Sequence, residues 1–367
     1  MTLLVINPGS TSTKLSLYRD ESVLWEENVF HDAPELNRFP HVNDQMAFRE
    51  KVILDLLAKH GSTLADVDVF VGRGGSAHTQ KGGVTRIDSL LFADTQRGVG
   101  GSEHPAKLGV MLAYVLAEKT GKQAYTLNPT NVDEMTDVAR LTGIKGVYRN
   151  AQFHVLNQKA TAQVHAEKKL HRRYEDCNFI VAHIDGGITV NAHDHGQMVD
   201  GNVGAGGDSP FTPTRIGSVP ILPLLDYIES TSLAHVRRMC SSSGGFVDLF
   251  GTANADTIHH LVDQGDPKAC LVWDALIYQI AKMIGEMATV LCGQVDGILL
   301  TGGFMRFSDL VEGLERRCGW IAPITVYPGE MEQDAMALSV LRALRGEAPI
   351  LTYTGKPVWN GFAGMDL

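Results

Sequence analysis

Short apolar runs alternate along the chain with longer segments of helical period, the arrangement of an α/β architecture. In the first half the runs at 3–6, 15–18 and 67–71 read as strands; in the second half those at 179–182, 188–192 and 297–300 do. The helices are better bounded. Asp266-Pro267 supplies an N-cap and a first-turn proline, and Gly293 a stop, for a helix over 267–292. Within it Trp273, Leu276, Ile280, Ile284, Met287 and Leu291 form one apolar stripe, which marks core. A second helix over 105–119 opens at Pro105 and stops at Gly121, and a third over 331–345 ends at Gly346.

Two stretches share a plan. Leu3-Leu4-Val5-Ile6-Asn7-Pro8-Gly9-Ser10-Thr11-Ser12 is a strand, a polar residue, a glycine and a run of hydroxyls, followed by a strand at 14–18, a turn at Asp20-Glu21 and a strand at 23–25. Phe179-Ile180-Val181-Ala182-His183-Ile184-Asp185-Gly186-Gly187-Ile188-Thr189 repeats it, with a turn at Asp194-His195-Gly196. They are either two unrelated hairpins or the heads of a duplicated domain facing each other across a cleft. In the second case glycine lets backbone approach a polyphosphate, and hydroxyls and N–H groups bind its oxygens. Neither a G-x-x-x-x-G-K-[ST] loop nor a strand-borne G-x-G-x-x-G is present; Gly98-Val99-Gly100-Gly101 follows no strand.

Composition narrows the partners. At 367 residues the chain has room for two domains, and 44% hydrophobic residues suffice for a core. A net charge of −10 argues against nucleic acid or an anionic membrane surface. The 168–173 basic run, Lys168-Lys169-Leu170-His171-Arg172-Arg173, reads as the polar face of a helix. Five widely spaced cysteines without a C-x-x-C pair fit reduced thiols in a cytoplasm. No signal peptide pattern or transmembrane span is expected.

Asn7-Pro8-Gly9-Ser10-Thr11-Ser12-Thr13-Lys14 resembles the signature of the acetate and butyrate kinase family, in its butyrate kinase variant. That family is a branch of the acetate/sugar kinase–Hsp70–actin superfamily. Further matches run along nearly the whole chain. Arg73-Gly74-Gly75, Glu103-His104 and Phe153-His154-Val155-Leu156-Asn157-Gln158-Lys159 resemble family motifs, as does His183-x-x-Gly186-Gly187. So do Pro210-Phe211-Thr212-Pro213-x-Arg215, Thr301-Gly302-Gly303 and Pro328-Gly329-x-x-Glu332. The departures are Asp185 for a glycine, Asn202-Val203-Gly204 for N-N-A, Thr214-Arg215-Ile216-Gly217 for E-R-S-G, and Asn150 where acetate kinases carry a catalytic aspartate. Asp185-Gly186-Gly187-Ile188-Thr189 partly resembles the D-x-G-G-T phosphate motif of other superfamily members.

The resemblance implies two domains of a duplicated ribonuclease H-like (actin-like ATPase) fold with a nucleotide cleft between them. The expected boundaries are 1–155 plus 349–367 for the acyl/phosphate domain and 156–348 for the nucleotide-binding domain. It also implies reversible transfer of a phosphoryl group from ATP, with Mg²⁺, to a short-chain carboxylate. Butyrate or a branched relative is the first reading, acetate or propionate the second, and a catalytically weak actin-like nucleotide-binding protein the third. The implied partners are the carboxylate or acyl phosphate, ATP/ADP and further copies of the chain, as a homodimer or larger.

Implied roles follow the motifs. Arg73 takes the acyl carboxylate and transferring phosphoryl, and Arg215 the phosphoryl oxygens in flight. His183 and, secondarily, His104 donate hydrogen bonds, and Asn7 orients a phosphate or a Mg²⁺-bound water. Gly9, Ser10, Thr11, Ser12, Lys14, Gly186 and Gly187 cradle phosphates; Gly302 and Gly303 admit adenosine; Glu332 holds Mg²⁺ through a water. A carboxylate is already ionised at neutral pH, so it needs no strong base. Two anions must instead be brought together, which is work for planar arginine forks.

Overall fold

The computed structural model describes residues 1–101, 104–204 and 207–365. Twelve strands appear in chain order: β1 (Thr2–Pro8), β2 (Ser12–Arg19), β3 (Ser22–Phe30), β4 (Val69–Gly72), β5 (Val84–Arg86), β6 (Gln123–Leu127), β7 (Asn178–Ile184), β8 (Ile188–Asp194), β9 (Gln197–Gly201), β10 (Gly297–Gly302), β11 (Ile324–Pro328) and β12 (Ile350–Thr352). The chain forms two compact units. One is Met1–Asp133 together with the described residues from Met331 onward; the other is Glu134–Glu330.

The first unit holds a seven-stranded mixed sheet in the order β12-β5-β6-β4-β1-β2-β3. β1, β2 and β3 form an antiparallel meander, while β4 lies parallel to β1 and β6 parallel to β4. The second unit holds five strands in the order β11-β10-β7-β8-β9, again an antiparallel meander (β7, β8, β9) extended by parallel strands beside its first member. The plan β3-β2-β1-β4-β6 thus recurs as β9-β8-β7-β10-β11, which is the duplication the two glycine turns pointed to. Tight turns suffice for the antiparallel pairs, with Asp20 at φ +52° in one and His195 and Gly196 at +48° and +82° in the other. Parallel neighbours need helical crossovers, such as Met46–Lys59 before β4 and Pro267–Val290 before β10.

Each unit has its own core. Leu4, Ile6, Leu15, Leu17 and Phe70 of the first sheet meet Leu108, Leu112 and Leu116 of the helix Lys107–Thr120. In the second, Trp273, Leu276, Ile280, Ile284, Met287 and Leu291 pack as one stripe with Ile180, Ile188 and Val190, as their spacing predicts. Asp266 caps that helix by accepting the Ala269 N–H at 2.8 Å.

The division of the chain falls elsewhere than the expected boundaries in two places. Residues 134–155 join the second unit, because Glu134 pairs with buried Lys159 at 2.7 Å and accepts the Met198 N–H at 2.9 Å. The helix Glu332–Leu344 joins the first unit, where Met336, Ala337, Val340 and Leu341 are buried. Tyr18 donates to Asp334 at 2.6 Å and Gln333 to Ser16 at 2.7 Å, tying that helix to β2. Sequence periodicity shows that this helix has an apolar stripe; it does not say which sheet the stripe covers.

All five cysteines are free. Among the described residues no helix is long and apolar enough to cross a membrane.

Candidate active-site constellations

In the first unit Asn7 is the penultimate residue of β1, and the chain turns directly after Pro8, the Gly9 N–H bonding the Ser12 carbonyl at 2.9 Å. Arg73 follows β4, and its backbone is fixed by a close approach of strand to helix. A Cβ on Gly109 would sit 2.4 Å from the Arg73 carbonyl oxygen, and one on Gly72 only 2.1 Å from the Gly109 carbonyl oxygen. Only glycine at both positions permits that contact. The Arg73 side chain reaches Asn7 Oδ1 (3.3 Å) and Glu332 Oε1 (2.9 Å), while Asn7 Nδ2 donates to Glu332 Oε2 at 2.8 Å. Asn7 and Glu332 are buried, and the buried Arg73 Nε has no partner among the described residues.

Ser10, Thr11 and Ser12 line the turn, the first two exposed. Lys14 lies opposite Asn7 across the β1–β2 pair and forms an ion pair with Glu26 at 2.8 Å. His104 is exposed ahead of the helix Lys107–Thr120, where its Nδ1 accepts the Ala106 N–H at 3.1 Å. Glu103, its motif partner, lies outside the described residues.

The second unit gathers a larger set. His183, on β7, is buried, and its Nδ1 meets Asn157 Nδ2 at 2.9 Å. Because an amide nitrogen donates, the ring proton of neutral His183 resides on Nε2. His154 stacks on it, ring centroids 4.1 Å apart and planes within 24°, with Nδ1 held by Thr189 Oγ1 at 2.8 Å. Arg215 donates through Nη1 to the Gly204 carbonyl. That nitrogen would lie 2.7 Å from a Cβ on Gly187, so the guanidinium is seated against the glycine turn itself. Its buried Nε is unpartnered among the described residues, and burial pulls its pKa below the ordinary guanidinium value.

Asp185 finds an explanation here. Its Oδ1 accepts the Gly186 N–H and its Oδ2 the Gly303 N–H, both at 2.8 Å, which staples the turn after β7 to the Gly302-Gly303 turn after β10. Thr301 continues this corner, accepting from Asn157 Nδ2 at 3.1 Å and donating to the Gly329 carbonyl at 2.9 Å. Asn202, one of the departures, supports β8 by accepting the Val190 N–H at 2.6 Å and donating to the Ile188 carbonyl at 2.8 Å. Its neighbours Ala205 and Gly206 lie outside the described residues, and Asn150 is exposed.

Within the first unit Asn7, Arg73 and Glu332 come together; within the second His183, Arg215, Gly187 and the Asp185–Gly303 staple do. Sequence reasoning assigned no role to His154, Asn157 or Thr301, although all three stood inside quoted motifs. A usable signal was the run of polar positions on the helix Val155–His165, where Asn157, Gln158 and Thr161 are all buried. Buried amides and hydroxyls must find partners, and here the partners are site residues.

Residues 142–315 match the acetokinase family. The class is thus a two-unit α/β chain with mixed sheets, in which most of the second unit is similar to the acetokinase family. The particular likenesses are structural. Acetate kinase from Porphyromonas gingivalis superposes with a TM-score of 0.74 at 18% identity, over 94% of this chain and 99% of that one. Acetate kinase from Entamoeba histolytica gives 0.72 at 15% (91% and 97%), and a propionate kinase from Francisella tularensis gives 0.70 at 15% (92% and 98%). At such identities the likeness establishes the fold.

Proposed function

We propose that this chain is a cytoplasmic kinase of short-chain carboxylates, using Mg·ATP to form an acyl phosphate reversibly, and that butyrate or a branched relative is its substrate. The observation that carries the reading is Arg215: a half-buried cation without an acidic partner among the described residues, set against Gly187 of the glycine turn with its buried Nε–H unused. Such a fork suits the equatorial oxygens of a phosphoryl group in transfer. His183, its proton set on Nε2 by Asn157, is a second donor to those oxygens. The Gly302-Gly303 turn takes adenosine, and Arg73 with its free Nε–H takes the acyl carboxylate. Each arginine thus offers an anion a donor that the protein leaves unused.

Among the described residues no three His, Cys, Asp or Glu side chains form a cage. Mg²⁺ in phosphoryl transfer is held by one or two carboxylates, waters and the phosphates themselves, so the lone Glu332 carboxylate with Asn7 fits that pattern. The ion supplies charge neutralisation of the phosphates. Glu332, already bound to Arg73 and Asn7, keeps the arginine oriented.

The Asn-Pro-Gly start supports butyrate over acetate, whereas two solved relatives are acetate kinases and one a propionate kinase. A hydroxamate trap for acyl phosphate, run from acetate to valerate with Mg·ATP, decides between them. Highest kcat/KM on four- or five-carbon acids supports the proposal; a maximum at acetate or propionate replaces the substrate, and no trapped product with any acid refutes kinase function. Arg215→Ala is expected to lower kcat by about 10²–10³, and near-normal turnover would remove Arg215 from the mechanism. A homo-oligomer belongs to the same reading. The helix Ile221–Ser230 buries none of its residues and exposes Ile221, Leu222 and Leu225, an apolar face of the kind that marks a contact; light scattering measures the mass.

A further inference from the structure

Arg49, on the helix Met46–Lys59, is fully buried, a place arginine almost never takes unless paired. Its partners are four neutral oxygens. Nε donates to Gln45 Oε1 at 3.0 Å, one terminal nitrogen to the Gly9 carbonyl at 3.0 Å, and the other to the Ser12 carbonyl at 2.6 Å and Thr13 Oγ1 at 2.9 Å. No carboxylate among the described residues compensates the charge. Burial lowers its pKa to about 10, which still leaves it protonated at neutral pH. Keeping an unpaired cation in the interior costs free energy, and leucine or methionine would fill the space without that cost.

What the guanidinium grips is informative. Gly9 and Ser12 are the two ends of the glycine turn, and both turn their carbonyls toward Arg49. A third carbonyl, that of Thr11, accepts the His31 N–H at 2.8 Å, and Thr13 Oγ1 also meets His31 Nε2 at 2.8 Å. With these carbonyls occupied, the Ser10 and Thr11 N–H groups donate to no other described residue. Unused N–H groups of two exposed residues on one side of a turn and a buried cation with no acidic partner on the other make a site suited to an anion.

We propose that Arg49 is a positioning residue for phosphate capture at the 9–12 turn, holding its carbonyls inward and supplying the positive potential beneath its free N–H groups. This rests on the kinase reading and extends it to a residue outside every motif. The test uses inorganic tripolyphosphate and ATP as titrants in calorimetry, on protein shown to be folded by circular dichroism. Arg49→Met is expected to weaken both at least tenfold and to flatten the dependence of log Kd on log salt, with the carboxylate KM changed less than twofold. Arg49→Lys, which keeps the charge but not the fork, should fall between wild type and Arg49→Met.

A merely structural arginine would lower thermal stability yet leave the salt slope intact, and that result overturns the proposal. So do unchanged affinities in Arg49→Met, or Arg49→Lys binding no better than Arg49→Met. If Arg49→Met does not fold, Gln45→Leu removes only the Nε partner; a threefold or greater loss of tripolyphosphate affinity supports the proposal, and no loss overturns it. Wild-type protein that binds tripolyphosphate but phosphorylates no carboxylate sinks the kinase reading alone, since the titration of Arg49 variants stands without it.

Discussion

Gly187→Ala offers the sharpest test of the second unit's geometry. An added Cβ would stand 2.7 Å from Arg215 Nη1 and 3.2 Å from His154 Cε1, where ordinary contact begins near 3.4 Å. Subtracting 2.7 from 3.4 leaves about 0.7 Å for the guanidinium to yield. Because the displaced atom ends a long side chain, stability should change by less than about 1 kcal/mol. Position is another matter. Arg215 is held by the Gly204 carbonyl, and misplacing a catalytic group by about 1 Å can cost 10²-fold. We expect kcat to fall by about 10–10², or about 1.4–2.7 kcal/mol of barrier, with the urea midpoint nearly unchanged.

The double variant shows whether this loss runs through Arg215. If the two act independently, Gly187→Ala with Arg215→Ala should lose about 10³–10⁵, the product of the single losses. If the methyl acts by displacing Arg215, the double variant should be no slower than Arg215→Ala by itself. Initial rates of hydroxamate formation for the four proteins complete the cycle. Multiplying losses, or wild-type turnover in Gly187→Ala, would refute the placement of Arg215 against the turn as a functional contact.

Two further outcomes follow from the geometry. Asp185→Asn replaces one of two acceptors with an amide that faces an N–H donor, so the staple between the 185–187 and 302–303 turns should lose about 1–3 kcal/mol; an unchanged urea midpoint would show that the staple does not stabilise the unit. His193 is buried between Tyr174 and Gln158, and burial holds its pKa well below the ordinary value. The unfolded chain takes up that proton near about pH 6.5 while the folded chain does not, so stability is complete above that pH and declines as the pH falls below it, by up to about 1.4 kcal/mol per pH unit. His31 and His165, also lowered by burial, act in the same direction. Equal urea midpoints at pH 7.5 and 5.5 would contradict this.

Much of the architecture was legible because its signals are local. Buried central strands read as continuous apolar runs, as at β1, β7 and β10, and the Asp266 cap and the Trp273-to-Leu291 stripe need only neighbouring residues to be recognised. The repeat of a strand, a glycine turn and a second strand was visible at both 3–18 and 179–192, and both became strands one and two of a sheet. The structure places the motif residues in different surroundings. Arg73 stands with Asn7 and Glu332, and Arg215 lies on the Gly187 turn. Lys14 pairs with Glu26, and His104 takes part in a helix start. Asp185, a departure from the family's glycine, accepts two N–H groups.

By itself the sequence determined the two strand–glycine turn–strand heads (β1–β2 and β7–β8), strands β4 and β10, and the helices near 107–120, 267–290 and 332–344, since these follow from periodicity, caps and glycine at short range. Tertiary structure alone decided which sheet the Glu332–Leu344 helix covers, which carbonyls Arg49 holds and what Asp185 accepts. Those outcomes depend on side chains tens to hundreds of positions apart being brought within hydrogen-bonding distance, and no local pattern encodes the partner of a buried polar group.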